Sequence, residues 1–176
     1  MEIGYLQLRK RRAGDAIRTL EPVAPDEKHE MCAPARNTIG RACLLMGRVE
    51  DGISWLEKAV AMQPRNTGFL CDLAESKQYV DPESSLELLQ RAEAITPDFP
   101  MIHGVRGTVL MLLGRVDEAI VAVEKEHELL PPREKNQASR ALASIYAGAG
   151  RLGEAKERPR ELLPRRTSRR TRRTRS

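Results

Sequence analysis

A chain of 176 residues that is 40% apolar but only 3% aromatic has the length of one domain, yet lacks the aromatic volume that usually fills a globular core. Its net charge of +5 is not a property of the whole: residues 165–176 carry seven arginines and no acid, and without them 23 basic residues face 25 acidic ones. Three cysteines without a paired spacing argue against a disulfide framework and for a reducing, cytoplasmic setting, and no run of apolar residues is long enough for a signal peptide or a membrane span.

Taken from the start, residues 1–30 read as a degenerate, truncated repeat, so the chain opens inside one. Gly4 to Leu8 would end one helix and Gly14 to Leu20 would open its partner, which Pro22 and Pro25 stop early. Residues 33–64 form the first complete helix pair, with Ile39, Cys43, Met46, Ile53, Leu56 and Val60 at helical spacing. Residues 67–97 form the second, and Asp81-Pro82-Glu83 reads as an N-cap, a first-turn proline and an early acid. Residues 100–131 form the third, followed by a longer loop at Pro131–Glu134. Residues 136–163 begin a fourth, whose second helix is expected to stop near Arg158, ahead of Pro159. From Pro164 the chain is Arg, Thr and Ser only and is expected to be a disordered tail, because it has no apolar surface to offset the entropy of ordering. The division is therefore 1–30, a helical repeat domain over 31–163, and the tail 164–176.

The period carries the strongest signal. Pro64, Pro97 and Pro131 close successive pairs 33 and 34 residues apart, and the turn glycines Gly47 and Gly114 lie 67 apart. A fixed period near 34 with a helix–turn–helix inside it marks a helical repeat array. The eighth position of each unit is Gly40, Ala74, Gly107 and Ala143, and the twentieth is Gly52, Ser85, Ala119 and Ala155, all small enough for helices to approach closely. On these residues the pattern resembles the tetratricopeptide repeat over roughly 33–155. It departs from it in lacking the early tryptophan, in placing Lys77 and Glu126 where apolar or small residues are usual, and in a second unit one residue short at its turn.

The resemblance implies an all-α fold, an α-solenoid of antiparallel helix pairs wound as a right-handed superhelix, with a concave groove lined by the first helix of each pair. It also implies a non-catalytic scaffold that holds a peptide or helix of a partner protein in that groove. The expected lining is Asn37, Arg41, Leu44 and Leu45; then Cys71, Glu75 and Gln78; then Met101, Thr108, Met111 and Leu112; then Arg140 and Ser144. Met111 and Leu112 could equally pack under the neighbouring pair. Family members that grip a partner's C-terminal carboxylate do so with lysines and asparagines. The matching places here hold Asn37, Arg41, Cys71, Glu75, Gly104 and Thr108, so that grip is missing.

Other chemistries have weaker support. Gly148-Ala149-Gly150-Arg151-Leu152-Gly153 has dinucleotide-fingerprint spacing but sits between two helices, where glycine ends a helix. His29, His103 and His127 lack ligand spacing, and no base can be assembled for a reactive cysteine, so neither metal, cofactor nor catalysis is expected. Two alternatives remain: the repeat arm of a larger sulfotransferase- or glycosyltransferase-like enzyme, resembled by Thr96–Pro100, and nucleic-acid binding through the basic tail, which lacks aromatics for stacking.

Overall fold

The computed structural model describes residues 2–25, 28, 30–151 and 153. Eight helices follow one another in it, with no strand among the described residues: α1 Glu2–Leu20, α2 Cys32–Leu45, α3 Val49–Met62, α4 Thr67–Lys77, α5 Pro82–Ile95, α6 Pro100–Leu112, α7 Val116–Leu129 and α8 Lys135–Gly148. Each helix packs chiefly on its neighbours in sequence, and α2 also touches α4, as α4 touches α6. The first helices of successive pairs therefore stand closer together than the second helices, and the array curves with α2, α4 and α6 on its inner side. The fold is an all-α solenoid, as the period implies.

Local chemistry explains where the helices stop. The chain after α2, α6 and α8 turns through Gly47, Gly114 and Gly150 at φ of 82°, 73° and 69°, a region that glycine enters without a steric penalty. Each is followed by an arginine whose amide reaches back to the helix: Arg48 N to Cys43 O at 2.9 Å, Arg115 N to Leu110 O and Arg151 N to Tyr146 O at 2.8 Å. The fingerprint-like glycines are thus a helix end. The short second unit has no such glycine. There Asp81 caps α5, its Oδ1 accepting from Ser84 N at 3.1 Å, with Pro82 in the first turn.

One boundary differs from expectation. Residues 4–20 form a single helix, α1, because Gly14 keeps a right-handed backbone and lies where nothing approaches within 4 Å. Pro22 and Pro25 follow its end as expected. The second helix of the fourth pair, its stop near Arg158, Ala155, His29 and the tail all lie outside the described residues.

The core is one thin layer between the two helix rows. Leu56, Leu70, Leu89, Ile102 and Val109 are fully buried in its largest cluster, and Ile120, Val123, Leu142 and Tyr146 continue it toward α8. Each such side chain contributes roughly 1.5–3 kcal/mol through burial. Met46, by contrast, is exposed. The anomalous Lys77 leaves the core by pairing with Glu57 on α3 at 2.8 Å. His103 is buried with Nε2 3.1 Å from Pro97 O, and Cys32, Cys43 and Cys71 are free and buried.

Candidate functional site

Three adjoining hollows run along the inner side. The first, about 480 Å³, is lined by Arg41, Leu44, Leu45, Val49, Asp72, Glu75, Ser76, Tyr79 and Val80. It shares Glu75 and Tyr79 with a central chamber of about 460 Å³, whose other walls are Gln78, Met101, Gly104, Val105, Thr108, Glu126, Gln137 and Ala141. The chamber shares Glu126 and Gln137 with a third hollow of about 540 Å³ bounded by Leu130, Arg133, Glu134, Asn136 and Arg140. α2, α4, α6 and α8 supply most of this surface, because successive first helices are its floor.

Eight expected residues line these hollows: Arg41, Leu44, Leu45, Glu75, Gln78, Met101, Thr108 and Arg140. Five do not. Asn37 and Cys71 lie beneath the surface, buried because the α2–α4 contact closes over them. Asn37 Nδ2 donates to Asp72 Oδ2 at 2.7 Å, and burial pushes the Cys71 thiol up to about 12, with Asp72 and Glu75 adding to the shift. A thiol held protonated in this way is a packing group, not a nucleophile. Met111 packs into the cluster of α6–α8, while Leu112 and Ser144 are exposed outside the hollows. Thr108 is exposed, its hydroxyl donating to Gly104 O at 3.3 Å.

Asp72, Tyr79, Gly104, Glu126, Gln137 and Ala141 were not expected in the site. Register could have found two of them: Tyr79 shares its place in the unit with Leu45, and Gln137 with Met101. Glu126 announced itself as an acid where apolar or small residues are usual. It comes from α7, a second helix, and reaches the chamber because α6 has no side chain at Gly104. A Cβ there would collide with the Glu126 carboxylate.

The electrostatics are uneven. Arg41 is engaged by Asp72, Nε to Oδ1 at 3.7 Å, and Arg133 by Glu134 at 3.2 Å. Among the described residues, Glu75 and Glu126 are the charged groups lining the chamber, and neither has a hydrogen bond or salt bridge with another of them. Burial raises the Glu126 carboxyl above its ordinary range. It also raises that of Glu75, helped by Asp72 and opposed by Arg41, although the Glu75 side chain reaches solvent.

A carboxyl raised on folding contributes stability only while protonated and loses it as pH climbs through the folded value. Ionised Glu126 therefore weakens the fold at neutral pH. The groups that face it are Glu75 from α4, Gln137 and Arg140 from α8, and Arg133 and Glu134 from the preceding loop; His103 on α6 turns instead to Pro97. Glu126→Gln is expected to melt higher than wild type at neutral pH. The gain should vanish below about pH 4, where free glutamate is itself protonated. Melts recorded across pH test this, and a variant that melts lower throughout would show that the carboxylate is stabilised where it lies.

A family model described as the tetratricopeptide repeat matches residues 33–66. No curated protein matches the chain. Among solved structures, the crystal structure of MamA superposes with a TM-score of 0.66 at 24% identity over 84% of this chain and 86% of that one. TTC0263, a thermophilic TPR protein of Thermus thermophilus, superposes at 0.68 with 25% identity over 88% and 86%. The first TPR of Spaghetti (RPAP3), bound to the HSP90 peptide SRMEEVD, superposes at 0.59 with 18% identity over 67% and 93%. Residues 33–66 match the tetratricopeptide-repeat model, and the chain is similar in fold to tetratricopeptide-repeat solenoids such as TTC0263.

Proposed function

We propose that this protein is a non-catalytic scaffold whose repeat body, residues 31–163, holds an extended peptide or helix of a partner protein along its inner face. The observation that carries the reading is the continuity of the three hollows, joined through Glu75 and Tyr79 on one side of the chamber and Glu126 and Gln137 on the other. Such a track suits a segment of several residues better than a small molecule. Leu44, Leu45, Val49 and Val80 offer an apolar anchor site beside Tyr79, and the chamber's amides and carboxylates would fix orientation. The RPAP3 repeat is bound to a peptide, which supports a peptide as ligand in kind. An acidic segment such as SRMEEVD would set its carboxylates against Glu75 and Glu126, so its chemistry does not transfer. The buried, free cysteines fit a reducing, cytoplasmic setting.

Selection of a random 12-residue displayed peptide library against the full chain tests this reading. Thr108→Trp fills the chamber from an exposed position and should leave the melting temperature within about 2 °C, since surface changes cost less than about 0.5 kcal/mol. Peptides selected on wild type should bind the folded Thr108→Trp variant at least about tenfold more weakly, because their central contacts are displaced. Undiminished binding would move the site off this face.

A further inference from the structure

Among the described residues eight large apolar side chains are exposed, and six of them gather along one edge of the solenoid: Leu45, Met46, Val49, Tyr79, Val80 and Leu112. Their placement follows the register. Leu45, Tyr79 and Leu112 hold the thirteenth place of successive units, and Met46 and Val80 the fourteenth, where each first helix gives way to its turn. Because α2 touches α4 and α4 touches α6, equivalent places stand side by side, and the six form a stripe across three units. Leu45, Val49, Tyr79 and Val80 wall the first hollow together, so this part of the stripe is continuous. Tyr79 and Val80, at its middle, are the most open of the six, at 72% and 62%. At roughly 150–250 Å² for a fully exposed large side chain, the stripe leaves on the order of 600 Å² of apolar surface to water, the top of the range for a monomer's largest such patch.

The charges beside the stripe select among occupants. The arginines that follow the turns are each paired with an acid: Arg48 Nε with Asp51 Oδ2 at 2.8 Å, Arg115 Nη2 with Glu118 Oε2 at 2.6 Å, and Arg151 with Asp117. Arginines already neutralised in this way give an anionic lipid surface little to attract it. The stripe instead suits a second apolar surface of the same length, and another copy of the chain carries one. We propose that two copies pair edge to edge through this stripe about a two-fold axis at Tyr79 and Val80, with Leu45 and Met46 of each copy against Leu112 of the other. Such a contact uses one patch twice and closes on itself. The Arg48–Asp51 pair lies at one end of the stripe and the Arg115–Glu118 pair at the other, so the crossed ends each bring an arginine to an acid. Covering both stripes removes about 1,200 Å², the size at which specific interfaces begin. The inference goes beyond the inner-face reading and does not rest on it. The two surfaces share the outer wall of the first hollow, so a peptide anchored there competes with pairing.

Sedimentation velocity of the full chain tests the pairing. Interfaces of this size have micromolar or tighter affinities, so the chain should sediment as a dimer at about 100 μM. Leu112→Asp should weaken self-association at least about tenfold, because it sets a charge in the apolar contact. Val121→Asp, equally open but in the middle of α7, should leave it unchanged. Tyr79→Glu and Tyr79→Lys should each be monomeric, since the axis sets like charges together, and their equimolar mixture should recover the dimer. These three positions are exposed, so the variants should melt close to wild type by circular dichroism, which separates lost pairing from lost folding. A wild-type chain that stays monomeric at this concentration would overturn the proposal, as would dimers undiminished in Leu112→Asp and in both Tyr79 variants. Dimers lost in both Tyr79 variants and not recovered on mixing would overturn the two-fold arrangement. The dimer should persist in Thr108→Trp, so failure of the peptide site and failure of the pairing are read in different variants.

Discussion

Gly40→Ala should lower the melting temperature by about 4–8 °C, whereas Gly14→Ala, the same change on α1, should raise it. In an open helix position alanine gains up to about 1 kcal/mol over glycine. At Gly14 that gain is unopposed, because nothing lies within 4 Å of the new methyl. At Gly40 the methyl would sit 2.7 Å from Leu56 Cγ and 2.9 Å from the Gly52 carbonyl oxygen. Gly52 is equally tight against α2, a Cβ there falling 2.7 Å from Leu44 Cγ and 3.0 Å from Gly40 O. The two backbones touch, and no rotamer change relieves a backbone contact. Overpacking costs about 1–3 kcal/mol, and here the upper end applies, leaving a net loss near 2 kcal/mol, or about 2–4 °C per kcal/mol at this chain length. Gly107 differs in kind: its Cβ would strike the Val123 side chain, with the Ala119 carbonyl farther off at 3.4 Å. Gly107→Ala should therefore be rescued in part by Val123→Ala, a coupling that Gly40→Ala has no partner to show. Equal falls for Gly14→Ala and Gly40→Ala in melts followed by circular dichroism would mean that the helices do not meet where the repeat register places them.

These close approaches are the part of the fold that sequence reveals best. Gly40, Gly52, Gly107 and Ala119 recur at fixed offsets because the same helix contact is made in every unit, and recurrence turns a tertiary contact into a pattern along the chain. The turn glycines are legible for the same reason. The α1 helix was not, because Gly14 in a single, partial unit has no counterpart to compare, and glycine inside a helix looks like glycine ending one. The site was legible only where it follows the register. Arg41, Glu75 and Thr108 repeat at one place and line the hollows, but a register cannot say how far a helix contact closes over its neighbours. Asn37 and Cys71 are consequently buried, and Asp72, one place later than Cys71, took a role nobody would assign by position. Glu126 was visible as an anomaly but not as a chamber wall, since it crosses from the second helix through the gap left by Gly104, a contact between two different offsets.

Asp72→Ala should destabilise the protein by about 1–3 kcal/mol, the cost of leaving a buried donor unsatisfied. Asp72 is buried on α4, and its Oδ2 accepts the Asn37 Nδ2 hydrogen bond at 2.7 Å from α2. Asn37 is itself buried and its Oδ1 has no partner among the described residues, so removal of Asp72 strips that amide of its hydrogen bond. The expected fall in melting temperature is about 2–12 °C. Asp72→Asn keeps an acceptor in place and should cost less. In the double variant Asn37→Leu/Asp72→Leu both polar groups go together, nothing is left unsatisfied, and the loss should be smaller than for Asp72→Ala alone. The same substitution changes the inner face. Without Asp72 the Arg41 guanidinium, 3.7 Å away in wild type, is released into the first hollow, and Glu75 loses the neighbour that helps to raise its carboxyl. Arg41 then competes with any other cation for Glu75. A folded Asp72→Asn variant should accordingly bind cationic peptides more weakly than wild type, although Asp72 need not touch them. The melts and a peptide titration separate the two effects. If Asp72→Ala melts like a surface substitution, the Asn37–Asp72 bond does not tie α2 to α4. If Asp72→Asn binds cationic peptides as well as wild type does, Arg41 is held by something other than Asp72.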